Sequence, residues 1–262
     1  MSWSSDRAAG FARTRAVAGR VDALEQSPST NAELRDRSAE SPEYPHLSVI
    51  VTADQTAGRG RLDRSWVTPA GSALAISVLL RDLPADPVAF GWIPLIAGAA
   101  MADAVAAQLP DHEVGVKWPN DVFVDERKIC GILAEATGQA VVLGAGINTA
   151  MTTEQLPVPT ATSFAVIGAQ CDEDRLVADY VGRVDELLGG LRADGDAGRA
   201  GVHAVVSQRC ITIGRTVDVS LPDGTQMRGT ATRLHLDGRL AIVVDGEERL
   251  IAAGDIVHAR LG

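Results

Sequence analysis

The sequence has few cysteines and no long uninterrupted apolar run. Its three cysteines, Cys130, Cys171 and Cys210, lie about 40 residues apart. An odd number at this spacing fits neither a disulfide framework nor a metal knuckle. The longest apolar stretch, from Trp92 onwards, is interrupted by Asp103 and falls short of the ~20 residues that a membrane span needs. We therefore predict neither a disulfide scaffold nor a membrane protein.

The sequence also lacks a targeting segment and an excess of positive charge. Charged residues run through the first twenty positions and leave no apolar centre for a signal peptide: Asp6, Arg7, Arg13, Arg15 and Arg20. We therefore expect a cytoplasmic protein. The net charge is −10, from 24 basic and 34 acidic residues, whereas proteins that bind nucleic acids neutralise phosphate with clusters of Lys and Arg. No DNA partner is expected.

Lysine and asparagine are rare enough for their positions to be informative. Only Lys117 and Lys128 accompany the arginines among the 24 basic residues, and asparagine occurs only at Asn31, Asn120 and Asn148. The ammonium group of lysine is a compact point charge, which the planar guanidinium of arginine does not replace where one oxygen must be held. Because both lysines lie close to Asn120 in the sequence, we predict a polar site there.

Length and composition favour one large globular domain with a small second one. In the N-terminal segment, residues 1–28, Val17, Val21 and Leu24 predict a short helix whose role the sequence does not indicate. Apolar runs then alternate between strand and helix spacing, which predicts an α/β (α+β) domain over residues 29–212. Its last long helix is predicted over 172–191, ending at Gly189-Gly190.

A different pattern follows this domain. Residues 193–201 are small and polar, as is typical of a linker. Short alternating strands then come with three Asp-Gly turns, at Asp223-Gly224, Asp237-Gly238 and Asp245-Gly246, and such turns are strong hairpin signals. Residues 213–262 are therefore predicted to form a small β-barrel.

One loop between two predicted strands has the composition of an anion site. It contains the sequence Gly58-Arg59-Gly60-Arg61 and continues to Trp66. Glycines let backbone N–H groups approach an oxyanion, and arginines supply charge. Gln55, just before this loop, adds an amide that can both donate and accept hydrogen bonds.

Three further segments combine polar groups with predicted strands. Lys117-Trp118-Pro119-Asn120-Asp121 brings an ammonium, an amide and a carboxylate to a strand end, although Pro-Asn-Asp alone is an ordinary turn. Lys128 precedes the apolar run that contains Gly131. The segment Gly144 to Asn148 is a strand whose glycines leave space for a ligand or for close strand packing.

Together with Ser29-Thr30-Asn31, these segments resemble the biotin protein ligase family in order and spacing, over roughly residues 27–262. The resemblance implies a catalytic domain with a mixed sheet, related to class II aminoacyl-tRNA synthetases, and a small C-terminal SH3-like β-barrel. The short segment before Ser29 implies a form without the DNA-binding domain of some members, and therefore without repressor activity.

The resemblance also implies the reaction. Biotin and ATP would give biotinoyl-5'-AMP and pyrophosphate with Mg²⁺, and the biotinoyl group would pass to a lysine of the biotin carboxyl carrier domain of an acyl-CoA or pyruvate carboxylase. The enzyme would be a monomer or a weak dimer. No covalent enzyme intermediate is implied.

The resemblance also implies a role for each residue at a matching position. The implied catalytic residues are Arg59, Arg61, Asp121 and Lys128. The implied biotin-binding residues are Ser29, Thr30, Asn31, Gln55, Gly58, Arg59, Gly60, Arg61, Lys128, Gly131 and Gly144. ATP or the adenylate is implied to contact Arg61, Trp66, Lys117, Asn120, Asp121, Lys128 and Asn148. Asp121 is also the implied contact for Mg²⁺.

One position departs from the family pattern, and two other functions remain open. Asp63 stands where the family usually has a glycine after the Gly58-Arg59-Gly60-Arg61 loop, which predicts a less mobile or leakier loop. A lipoate or octanoate protein ligase would share the fold, but Gln55 and Ser29-Thr30 favour a polar ureido ring. A non-catalytic biotin-binding module is the alternative from another class, and ATP-dependent release of pyrophosphate would distinguish it.

Overall fold

The computed structural model describes residues 10–39, 42–61, 64–221, 224–252 and 255–258. The first half of the chain forms α1 (Ala12–Val17), β1 (Arg20–Ala23), α2 (Thr30–Ser38), β2 (Ser48–Thr52), β3 (Gly58–Arg59), β4 (Ser65–Trp66) and β5 (Leu74–Leu80). A 3₁₀ helix, Pro87–Trp92, leads into α3 (Ile93–Ala106). The middle of the chain adds β6 (Val114–Lys117), β7 (Asp121–Val124), β8 (Arg127–Thr137) and β9 (Ala140–Ile147), followed by α4 (Phe164–Ile167), α5 (Glu173–Asp194) and α6 (Val202–Arg209).

Seven strands form one mixed sheet, as predicted. Their spatial order is β1-β2-β5-β9-β8-β7-β6. Strand β1 pairs parallel with β2, and the other neighbours are antiparallel. All residues of β5 are buried, and successive side chains of a strand point to opposite faces. The sheet is therefore covered on both faces.

Two apolar layers cover the sheet. On one face, α3 and α5 contribute Met101 and Val184 to a core that also contains Ile76. On the other face, Leu34 of α2 packs with Ile50 and Leu79. The N-terminus of α2 therefore lies over the same face of the sheet as the side chains of β8 and β9 that line the cavity described below.

The C-terminal strands form a five-stranded antiparallel sheet, which fits the predicted SH3-like domain. They are β10 (Thr216–Ser220), β11 (Gln226–Leu234), β12 (Leu240–Val244), β13 (Glu247–Ile251) and β14 (Asp255–His258), in the spatial order β13-β12-β11-β10-β14. Trp92 and Trp118 of the first domain share an apolar cluster with residues of this sheet. The indole of Trp118 donates a hydrogen bond to Gly238 O at 3.2 Å, and that of Trp92 donates to Leu236 O at 2.9 Å.

The prediction for the N-terminal segment is wrong after Val17. Helix α1 ends there, and Arg20–Ala23 forms an edge strand of the main sheet. A side chain at Gly19 would collide with the carbonyl oxygen of His46, so glycine lets the chain approach closely enough for β1 to pair with β2. Residues 20–23 are therefore part of the main sheet rather than of an N-terminal helix.

Two predictions near residue 190 are also wrong. Helix α5 continues past Gly189-Gly190 to Asp194, and Gly195 ends it with a φ of 66°, the left-handed geometry typical of a helix C-terminus. Burial of Leu187 and Leu191 outweighs the low helix propensity of glycine. The predicted linker 193–201 is packed, because Ala197 is buried in the cluster that joins the two domains.

Among the described residues, one helical segment, Pro87–Ala106, has the length and apolar composition of a membrane span. However, 72% of its most apolar window is buried inside the protein. Its apolar residues are part of the core, as Met101 and Ala97 show.

Candidate active site

A cavity of about 320 Å³ lies on the α2 face of the main sheet. It is bounded by the start of α2, by the loop from Gln55 to Trp66 as far as it is described, and by β8 and β9. Most of the sequence-predicted site residues line it: Ser29, Thr30, Asn31, Gln55, Arg59, Gly60, Arg61, Trp66, Asn120, Asp121, Lys128, Gly131, Gly144 and Asn148. Asp63 lies outside the described residues.

The first turn of α2 forms a polar end of this cavity. Ser29 caps α2, since its Oγ accepts a hydrogen bond from the N–H of Ala32 at 3.4 Å. The backbone N–H of Thr30 donates to Oε1 of the buried Gln55 at 2.8 Å. Gln55 is therefore held in one orientation, with its amide oxygen towards the helix.

Asn31 extends the polar end towards the sheet. Its Nδ2 donates to Oε2 of Glu135 at 2.6 Å, and its Oδ1 lies 2.6 Å from Oγ of Ser77. A Cβ at Gly144 would lie only 2.6 Å from Oδ1 of Asn31, so glycine is required for this close approach. Glu135 was not predicted as a site residue, because an acidic residue in the strand pattern of β8 is typical of an ordinary solvent-facing position.

Cationic groups lie along another side of the cavity. Nζ of Lys128 is 2.7 Å from Oδ1 of Asp121. Nη1 of Arg61 donates to Oδ1 of Asn120 at 2.8 Å, and Nδ2 of Asn120 donates to the carbonyl oxygen of Ile132 at 2.8 Å. The turn before β7 thus orients both cations towards one space, with Arg59 also in the lining. Such a set can hold two anionic groups side by side.

Two glycines of the strands make room for these side chains. A Cβ at Gly131 would lie 3.1 Å from Nζ of Lys128. A Cβ at Gly146 would lie 2.7 Å from two carbons of the Trp66 indole, so this ring rests on the backbone of β9. Gly146 was not predicted as a site residue, although the segment Gly144 to Asn148 drew attention to its strand.

The remaining part of the cavity is formed by residues after β9. Nδ2 of the buried Asn148 donates to the carbonyl oxygen of Thr162 at 2.9 Å, which ties the start of this segment to its end. Sequence reasoning missed the members of the segment that line the cavity: Met151, Gln155, Pro157, Val158 and Ala161. Their sequence carries no polar motif that could have indicated a site.

The structure does not bring Lys117 or Gly58 into the lining. The Nζ of Lys117 lies over the ring of Phe123, 5.3 Å from the centroid, and the contact of Lys117 with a nucleotide stays a prediction. Lys117 pairs across the strands with Asp121, yet its side chain is directed along the sheet to Phe123. Gly58 packs against two residues of the lining, because a Cβ there would collide with Nε2 of Gln55 and with the carbonyl oxygen of Trp66.

The described residues offer neither an activated thiol nor a resident metal site. Burial raises the pKa of the Cys130 thiol far above its usual range, so this residue is not a thiolate nucleophile at neutral pH. Among the described residues, no group of three or more His, Cys, Asp and Glu side chains could hold a metal ion. Asp121, the predicted Mg²⁺ contact, is paired with Lys128.

Comparisons with known proteins show which family the chain resembles in sequence. The profile of the biotin/lipoate A/B protein ligase family matches residues 23–148. A biotin–acetyl-CoA-carboxylase ligase of Mycobacterium tuberculosis is 36% identical over 243 residues, which cover 92% of this chain and 89% of that protein. The bifunctional ligase/repressor BirA of Escherichia coli is 40% identical over 138 residues, 51% of this chain and 41% of that protein.

A solved structure shows the same fold. The biotin protein ligase of Aquifex aeolicus, in complex with biotin and ATP, superposes with a TM-score of 0.75 at 22% identity, covering 92% of this chain and 99% of that one. The similarity to the Mycobacterium tuberculosis ligase extends over nearly the whole of both chains. The chain therefore belongs to the biotin protein ligases of the biotin/lipoate A/B protein ligase family.

Proposed function

We propose that this enzyme joins biotin to ATP, giving biotinoyl-5'-AMP and pyrophosphate, and then transfers the biotinoyl group to a lysine of a biotin carboxyl carrier domain. The observation that carries this proposal is the juxtaposition in one cavity of a buried amide cluster with a cationic cluster. The amides suit a cyclic urea, and the cations suit a carboxylate beside a phosphate.

In the first step, a carboxylate oxygen of biotin attacks the α-phosphorus of ATP, and pyrophosphate leaves. The two anions repel each other, and charge shifts onto the phosphoryl oxygens as the transition state forms. Lys128, Arg59 and Arg61 supply fixed positive charge at this place. Because such groups are oriented before the reaction, they stabilise the transition state more than the free reactants.

In the second step, the amine of a carrier lysine attacks the acyl carbon of the mixed anhydride, and AMP leaves. The amine loses a proton as the amide forms, and the departing AMP phosphate or the surrounding water takes up that proton. Asp121 is the carboxylate next to the cations, and its side chain is 24% exposed, so it can meet an incoming amine. We assign Asp121 to this contact and to orienting Lys128.

Mg²⁺ enters this scheme as part of the Mg·ATP substrate. Magnesium is usually held by one or two carboxylates together with substrate phosphates and water, rather than by an all-protein cage. One carboxylate beside the cations, Asp121, fits that pattern. The adenosine part is assigned to the side of the cavity with Asn120, Asn148 and Trp66.

The acceptor class follows from the same proposal. We expect the carrier domain of an acyl-CoA or pyruvate carboxylase, in the cytoplasm, with the enzyme working as a monomer or weak dimer. Action on DNA is not expected, given the net charge of −10.

A transfer assay tests the proposal. The purified chain is incubated with Mg·ATP, biotin and an unmodified carrier domain, and biotin on the carrier is measured with labelled streptavidin. Biotinylation is expected, and a carrier with its acceptor lysine changed to arginine should remain unlabelled. If an active carrier domain stays unlabelled while a known ligase labels it, the proposal is wrong.

A further inference from the structure

Glu135 lines the cavity, yet the reaction described above gives it no part. It lies on β8, is half-buried, and its Oε2 accepts the hydrogen bond from Nδ2 of Asn31 at 2.6 Å. We infer that Glu135 is a positioning residue, which fixes the orientation of the Asn31 amide and so selects acids whose ring offers N–H donors. This inference rests on the proposed function.

The chemical difference between an amide and a carboxylate supports the claim that Glu135 fixes the orientation of the Asn31 amide. The side chain of asparagine presents an oxygen acceptor on one side and an NH₂ donor on the other, and the two ends have nearly the same shape. A carboxylate can only accept hydrogen bonds. Glu135 therefore favours the orientation in which Nδ2 of Asn31 faces it and Oδ1 faces away.

The surroundings of Asn31 support the claim that this orientation selects acids whose ring offers N–H donors. Its exposed fraction is only 7%, so little water competes for its polar atoms. The whole amide lies beside Gly144, where a Cβ would be 2.6 Å from Oδ1 and 2.8 Å from Nδ2, and Gly144 lines the cavity. With Nδ2 held by Glu135, Oδ1 stays on the side of Ser77, from which it accepts a hydrogen bond at 2.6 Å, and its second lone pair can accept another from a ligand.

An acceptor at this place discriminates between classes of acid. A cyclic urea has two N–H donors, whereas an octanoyl or lipoyl chain has none. A site built to hydrogen-bond a polar group disfavours a substrate without it, because the acceptor position of Oδ1 that Ser77 leaves open would then be covered without a donor. If the Asn31 amide were reversed, its NH₂ would face the N–H groups of the urea.

The test compares Glu135→Leu and Glu135→Gln with the wild-type enzyme in pyrophosphate release. For Glu135→Leu we expect the KM for biotin to rise on the order of tenfold. The KM for Mg·ATP and the kcat at saturating biotin should change by less than about twofold. Glu135→Gln keeps an acceptor oxygen and should show a smaller rise in the KM for biotin.

A matched control is Glu33→Leu on α2. Glu33 pairs with Arg37 at 3.0 Å and does not line the cavity, so the KM for biotin should stay at the wild-type value. Should Glu135→Leu fail to fold, judged by thermal unfolding, Glu135→Gln decides: a KM for biotin equal to that of the wild type would overturn the inference.

A double variant separates positioning from direct contact. If Glu135 acts through Asn31, then Asn31→Ala with Glu135→Leu should raise the KM for biotin no further than Asn31→Ala alone, within about twofold. If the double variant instead shows the product of the two single increases in the KM for biotin, the inference is wrong. It is also wrong if Glu135→Leu has the wild-type KM for biotin. A wild-type enzyme that releases no pyrophosphate with biotin would instead contradict the proposed function.

Discussion

At the scale of single residues, we expect the activation of biotin by ATP to depend most on Lys128. Its ammonium lies among the cavity cations and 2.7 Å from Asp121. We predict that Lys128→Ala lowers biotin-dependent pyrophosphate release by about two orders of magnitude, because a donor aimed at developing charge is lost.

The stability of this variant should remain normal, since the side chain of Lys128 is 42% exposed and ion pairs of this kind contribute little. Arg127→Ala is the control, because this neighbouring cation does not line the cavity. Wild-type turnover by a well-folded Lys128→Ala variant would refute the assignment.

Gly144 carries a second prediction at this scale. In Gly144→Ala, the new methyl group would lie 2.6 Å from Oδ1 of Asn31, closer than side-chain carbons normally approach. Asn31 must move, and we predict that the KM for biotin rises roughly tenfold or more, in line with the usual cost of overpacking.

Gly182→Ala serves as the comparison. Gly182 lies within α5, where a Cβ meets nothing within 4 Å, and alanine should stabilise the helix by up to about 1 kcal/mol. Steady-state kinetics and urea unfolding check both variants. Equal biotin kinetics in the two would contradict the role of Gly144.

The motifs of the sequence identified much of the cavity lining but not all of it. Strand ends and loops, such as the turn at Asn120-Asp121, carry a polar signature because they lack an apolar partner. Glu135 was missed because strand alternation does not tell which polar residue faces a ligand. The direction of the Lys117 side chain could not be predicted, because it depends on contact with Phe123, a neighbour across the sheet.

At the scale of elements, the carboxylate of Asp174 makes several of the contacts that hold α1. Asp174 accepts hydrogen bonds from the N–H of Arg13 and of Thr14, both at 2.9 Å, and from the Thr14 hydroxyl at 2.8 Å. It therefore caps the first turn of α1 from another helix. We predict that Asp174→Ala lowers the free energy of unfolding by about 1–2 kcal/mol, as loss of a cap does.

Urea unfolding measures this change. Asp179→Ala on the same helix removes an exposed ion pair with Arg175 and should cost less than about 0.5 kcal/mol. If both variants lose the same stability, the capping role of Asp174 is excluded. Neither residue lines the cavity, so biotin kinetics should stay normal in both.

Elements with strong periodicity could be predicted from the sequence, whereas those set by distant contacts could not. The alternating strands of the second domain and the apolar helix α3 follow directly from pattern and turn residues. Strand β1 was mistaken for a helix because Val17, Val21 and Leu24 have helical spacing, while its actual partner, β2, lies far along the chain. Tertiary packing likewise carries α5 beyond Gly189-Gly190.

At the scale of the whole molecule, the two domains should unfold together. Trp92 and Trp118 lie in the apolar cluster that also holds Val217 and Ile242 of the C-terminal sheet, and their indoles bond to its turn. We predict one cooperative transition in urea, with tryptophan fluorescence and far-UV circular dichroism coinciding. Two separated transitions would show that the shared cluster does not couple the domains.

The most direct test of the whole account is pyrophosphate release from Mg·ATP by the purified chain with biotin, lipoate, octanoate or no acid, together with mass spectrometry of the bound product. The account predicts release with biotin alone and retention of biotinoyl-5'-AMP. Release with octanoate or lipoate instead would assign the cavity to an aliphatic acid, and no release with any acid would contradict the ligase chemistry.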